Sequence, residues 1–225
     1  MQGGFFYHIL ISAPPLLIAV ILHEIAHGLA AKKLGDPTAS DAGRLTLNPI
    51  KHIDPFWTIL LPAMLILAGS PVIFGGAKPV PVDPRYFKRP RKDMMWVALA
   101  GPATNIILAV LSLLLYWGVN VAVLALVGNQ PVSEITAFCF TVVYQWIQTS
   151  VLINTVLALF NLIPIPPLDG GRIAVGLLPW QLARKWMRLE RYGILIVFGL
   201  LYFRVLDYVF LPIFNFMLAL MGITK

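Results

Sequence analysis

The run from Phe5 to Ala31 constrains this chain more than any other stretch. It is apolar and long enough to cross a bilayer core, which takes about 20 residues as a helix. Inside it lies Ile21-Leu22-His23-Glu24-Ile25-Ala26-His27. On a helix, the H-E-x-x-H spacing puts two imidazoles at i and i+4, one turn apart on one face, with a carboxylate beside them. Two neutral imidazoles so placed can share one zinc ion, and the glutamate is then positioned as a general base. Five residues alone are a modest signal, but the setting sharpens it. An ionisable group near mid-bilayer costs roughly 2.5 kcal/mol or more, so such groups are rare there and usually functional. The competing account is a helix end whose polar residues merely reach the headgroups.

Composition places the rest of the chain in the same solvent. Of 225 residues, 59% are hydrophobic and 12% charged, and mean hydropathy is +0.81. Several apolar stretches are long enough to span, so the expected fold is an all-α polytopic membrane protein. The chain leaves no room for a large soluble domain, so any chemistry is built from the spans and their connections. The net charge of +7 falls in loops that flank apolar runs, as cytoplasmic loops of membrane proteins do, so orientation explains it and nucleic acid is not an expected partner. Cys139 is the single cysteine and has no partner for an internal disulfide. The first run has no basic segment before it and carries the metal motif, so it is expected to be a retained span and not a signal peptide.

In chain order, the first span (5–31) contains Pro14-Pro15, expected to kink it or to start its regular part. His8 lies at its far end, as an interfacial residue. Residues 35–92 hold turns, the alternating Arg44-Leu45-Thr46-Leu47, which reads as a short β-strand, and an apolar segment over 56–76 broken by proline and glycine. His52 and Asp54 read as capping and interfacial groups ahead of a second polar site. Further spans are expected over 94–127 and 135–171, and over 192–222 either one span or a broken pair around Arg204, Asp207 and Pro212.

Catalytic zinc usually has three protein ligands, so two histidines leave it short of one. Asp169 is the outstanding candidate: it ends an apolar span, follows three prolines and precedes two glycines. Prolines remove backbone donors and glycines permit unusual dihedrals, so the helix should open there. Taken alone, Asp-Gly-Gly is a common turn. Asn161 lies eight residues earlier; a buried amide needs partners, and an oxyanion is one it could serve.

Taken jointly, His23-Glu24-Ile25-Ala26-His27, Gly43 to Pro49, Ala100-Gly101-Pro102 with Asn105, and Asn161-Leu162-Ile163-Pro164 through Leu168-Asp169-Gly170-Gly171-Arg172 resemble the site-2 protease family of intramembrane zinc metalloproteases. The likeness is to its minimal subgroup, without PDZ or CBS domains. It implies one zinc on His23, His27 and Asp169, Glu24 as base, and Asn161 polarising or orienting the substrate. It also implies a transmembrane protein or peptide as substrate, docked by strand addition near Arg44 to Leu47. Control would fall to a separate regulatory protein, or the enzyme would act constitutively on remnants of earlier cleavage.

A shared ion also fixes topology. His27 and Asp169 must lie at one depth, so the Lys32 end of the first span and the Asp169 end of 135–171 face the same side. The basic loops 78–92 and 184–191 assign that side as cytoplasmic, and 128–134, without lysine or arginine, falls outside. Both flanks of 56–76 are then cytoplasmic, so it is expected to be re-entrant, the alternative being a true span that breaks the charge bias on one side, in a bundle of four to six membrane helices in the plasma membrane. The alternatives are a non-catalytic zinc-binding membrane protein or a metal transporter. Transporters line several spans with ligands, whereas four of the six ionisable groups in or at the ends of these runs account for one site. A CaaX-type membrane protease would need a downstream glutamate ligand, and neither Glu134 nor Glu190 sits in a suitable helical motif.

Overall fold

The computed structural model describes residues 4–60, 64, 67, 76–128 and 132–223. Helix α1, Phe5–Lys33, runs unbroken through Pro14 and Pro15. Lys32 and Lys33 close its last turn, where positive charge suits the carbonyl end of the helix dipole. One turn of helix follows, α2 (Thr38–Asp41). Long helix α3, Pro90–Leu126, starts on a proline, where the missing N–H costs nothing. Helix α4, Glu134–Asn161, is capped by Ser133, whose hydroxyl accepts from the Thr136 amide. Three short helices then precede the last: α5 (Asp169–Leu177), α6 (Trp180–Met187) and α7 (Glu190–Tyr202), with α8 (Asp207–Leu220) at the end.

Among the described residues, α1, α3 and α4 are long and apolar enough to cross a membrane. The pair α7–α8 makes a fourth if it is taken as one span, bent by 67°. The break falls at Arg204, which has a left-handed φ of 57° and whose Nε donates to Asp207 at 2.8 Å. The C-terminal stretch is therefore a broken pair. Helix α3 is the hub, packing on α1, α4 and α5, while α1 also packs on α4. Many of the large apolar side chains on the outer faces of α3 and α4, such as Leu114, Leu124 and Ile135, are exposed, as befits helices whose solvent is hydrocarbon.

The short strand expected at Arg44 to Leu47 is not there. Leu45 to Leu47 form bends, and no strand occurs among the described residues. The physical reason is where their hydrogen bonds go. The Arg44 amide turns back to Ala39 O at 2.9 Å, and the Thr46 carbonyl takes Nε2 of buried His52 at 2.8 Å. With local partners, the segment has no ladder to join. Asp54 behaves as a cap, accepting from the Phe56 amide at 2.9 Å.

Of the 56–76 segment expected to be re-entrant, most of 61–75 lies outside the described residues. Its described ends meet: Pro55–Leu60 is a π-helix, and Thr58 Oγ1 donates to Gly76 O at 2.6 Å. The extended residues after Gly76 form a strap across α1, held point by point. Lys78 N donates to His52 O at 2.8 Å, and Arg44 Nη2 donates to Lys78 O at 2.6 Å. Asp83 N donates to Asp36 at 2.7 Å. Asp36 is fully buried at the end of α1, and its other oxygen takes the Thr38 amide at 2.9 Å.

Candidate metal centre and active site

His23 and His27 stand one turn apart on α1, with imidazole centroids 4.6 Å apart. Asp169 is brought to them by the turn between α4 and α5. Helix α4 ends at Asn161, the chain doubles back through 162–168, and Asp169 opens α5. Asp169 thus begins a new helix where the sequence suggested the end of a span, and an N-terminus favours a carboxylate. Gly170 and Gly171 make the turn possible. A Cβ on either would collide with the backbone of the returning segment, Leu162 and Ile163 for the first, Ile165 and Pro166 for the second.

Oδ2 of Asp169 lies 3.2 Å from Nε2 of His23 and 3.2 Å from Nε2 of His27. The two Nε2 atoms are 2.9 Å apart. His23 and Asp169 are buried, and the His27 side chain is only 12% exposed. The opposite ring nitrogens are both engaged. Nδ1 of His27 meets Val97 O at 2.7 Å, and a carbonyl can only accept, so that nitrogen carries the proton. Nδ1 of His23 meets Oδ1 of Asn105 at 2.5 Å.

With both protons on Nδ1, the two Nε2 lone pairs and the Asp169 carboxylate converge on one point with no donor among them. Three acceptors so close repel unless a cation sits between them, and two imidazoles with one carboxylate are a ligand set of catalytic zinc. The residues present therefore fit that metal. His23, His27 and Asp169 are also the one group of three or more His, Cys, Asp or Glu among the described residues that could hold an ion. His8 is exposed, and neither His52 nor Asp54 belongs to this group.

Glu24 points to the strap. Its Oε2 accepts from the Val80 amide at 2.8 Å. Pro79 and Pro81 flank Val80, so that amide is the single backbone donor in the three-residue stretch. Asn161 is partly buried, and its Nδ2 donates to Leu157 O at 3.0 Å within its own helix. Its amide is therefore not held by the metal cluster.

Sequence reasoning missed the Val80 amide, which carries no motif of its own, and gave Gly101 only as part of a pattern. Gly101 packs on the cluster so closely that a Cβ would run into the rings of both His23 and His27. Gly101→Ala is expected to displace at least one imidazole and weaken zinc binding by 10-fold or more, at the scale of a lost supporting partner. Zinc content after dialysis against a graded chelator series reads this directly, and wild-type affinity in that variant would mean the helices can part without harm.

A buried cluster able to hold a metal, with two of its three groups on a helix long and apolar enough to cross a bilayer, fits a multi-pass membrane metallopeptidase. The sequence profile of Peptidase family M50 matches residues 12–204, and the chain belongs to that family, the site-2 proteases, whose metal is zinc. It is 40% identical to YwhC of Bacillus subtilis (strain 168) over 215 residues, covering 94% of this chain and 90% of that protein. It is 34% identical to Rip2 of Mycolicibacterium smegmatis over 189 residues, 82% of this chain and 64% of the relative. Both carry the name "Putative zinc metalloprotease". No solved structure gives a significant match.

Proposed function

We propose that this protein hydrolyses peptide bonds within or near transmembrane segments of membrane-protein substrates, with Glu24 as general base. The observation that carries the proposal is the burial of the His23–His27–Asp169 cluster against α1, a helix long and apolar enough to span that supplies both histidines. His27 stands six residues before Lys33, which is about 9 Å along the axis at 1.5 Å per residue. The site so placed lies below the lipid surface yet within reach of water from the lysine end.

Zinc on these three residues supplies a Lewis acid that acidifies water and polarises a carbonyl. The chain's own groups do the rest. Glu24 has Oε2 anchored by the Val80 amide, so Oε1 is the oxygen that takes the proton from the attacking water and returns it to the leaving amine. Asn161, at the mouth of the turn that carries Asp169, orients the substrate chain by swinging its amide away from Leu157 O. A helical substrate hides its carbonyls in i to i−4 bonds, so it must unwind locally before it can be cut. That favours substrate spans with Gly, Asn or Pro near the cleaved bond.

The cytoplasmic side of a plasma membrane is the orientation that the basic loops favour. The test is reconstitution into liposomes with a model single-span substrate containing a Gly-Pro pair. Mass spectrometry should find a new terminus inside the hydrophobic stretch, and 1,10-phenanthroline should suppress it. Cleavage only in soluble loops would refute the intramembrane reading.

A further inference from the structure

A line of polar side chains is buried between α1, α3 and α4, and the metal ligands do not account for all of it. Asn105 and Asn154 are 0% and 2% exposed. Asn105 Nδ2 donates to Asn154 Oδ1 at 2.8 Å and to Ala19 O at 3.3 Å. Asn154 Nδ2 donates to Ser150 O at 2.9 Å and Ser150 Oγ at 3.2 Å, and Ser150 Oγ meets Ser112 Oγ at 2.8 Å.

The polarity of this line is settled at both ends by backbone carbonyls, which can only accept. Turning the Asn154 amide over would put its oxygen against Ser150 O. Turning Asn105 over would put its oxygen against both Ala19 O and Asn154 Oδ1. Each reversal sets acceptor against acceptor in a buried place, where an unmade bond costs most. Asn105 must therefore offer Oδ1 to His23, and His23 must carry its proton on Nδ1.

We infer that Asn154 is a positioning residue for the metal: through Asn105 it fixes the tautomer and ring orientation that leave Nε2 of His23 free to bind zinc. The inference rests on the metal-centre reading above and adds a residue that touches neither the ion nor its ligands. Supporting partners of this kind typically change metal affinity 10–100-fold when removed.

The test is zinc affinity by chelator competition on purified full-length protein in detergent, with the visible spectrum of the cobalt-substituted form as a second readout. Asn154→Leu keeps the volume and removes both polar atoms; it is expected to bind zinc about 10-fold more weakly and to shift the cobalt bands. Asn154→Asp, held neutral by burial, keeps an accepting oxygen for Asn105 and a hydroxyl that donates to Ser150 O, and should stay within about threefold of wild type. Wild-type zinc affinity and cobalt spectrum in Asn154→Leu would overturn the inference. If that variant does not fold, Asn154→Asp decides alone, since a tenfold loss there, with the fold intact, shows that the accepting oxygen is not what matters. Absence of zinc from the wild type itself would be a different failure, that of the metal centre.

Discussion

Glu24→Gln is expected to bind zinc like the wild type and to lose peptidase activity by about 10³-fold or more, within the upper range for removing a positioned acid–base group. The separation follows from the geometry. Glu24 is not among the three groups that converge on the ion site, so metal content should not change. The substitution is nearly isosteric, and the amide oxygen can still accept from the Val80 N–H that Oε2 accepts from now. The strap therefore stays in place and the only property removed is basicity. Glu24→Ala differs, because it also leaves the Val80 amide without its acceptor and removes one of the strap's anchors. Full turnover by Glu24→Gln on a verified substrate would remove Glu24 from the role of base. Low turnover together with low zinc would point to a damaged centre.

The sequence carried much of this site because its parts are local or chemically costly. His23, Glu24 and His27 fall within five residues of one helix, where spacing alone puts the histidines on one face. Asp169 was legible because a carboxylate among prolines and glycines at the edge of an apolar run needs a reason to be there. What the sequence could not convey is partnership at long range. Asn154 looks like any polar residue in an apolar helix until its 49-residue separation from Asn105 closes to a hydrogen bond. The Val80 amide is a backbone group and leaves no trace in side-chain pattern. The strand at Arg44 to Leu47 failed for the converse reason. Alternation over four residues is satisfied by any extended piece, and the Ala39 carbonyl and the His52 ring claimed the hydrogen bonds that a ladder requires. Hydropathy pointed to four to six membrane helices where the described residues give three, or four with the bent pair, and the bend at Arg204 rests on a left-handed residue and an ion pair three positions on, neither of which hydropathy can register.

Asp169→Ala is expected to leave the purified protein with almost no zinc where the wild type holds about one per chain. Three groups now converge on one point, and the carboxylate is the only anion among them. Removing it leaves two neutral imidazoles whose Nε2 atoms are 2.9 Å apart, with no anionic ligand to offset a dication in a buried place. The affinity loss should exceed the roughly 100-fold that marks the upper end for supporting residues, which ranks Asp169→Ala below Asn154→Leu in residual zinc. Helix α5 does not depend on the carboxylate, because its opening turn is held by main-chain bonds, Gly171 N to Leu168 O at 3.0 Å among them. Helical content should therefore survive, and circular dichroism in detergent checks it. Elemental analysis of both proteins side by side reads the result. Equal zinc in the two would place the third ligand elsewhere and dissolve the link between α1 and the α4–α5 turn, two segments some 140 residues apart in sequence. Near-complete loss, with the helices intact, would make that link the centre of the enzyme.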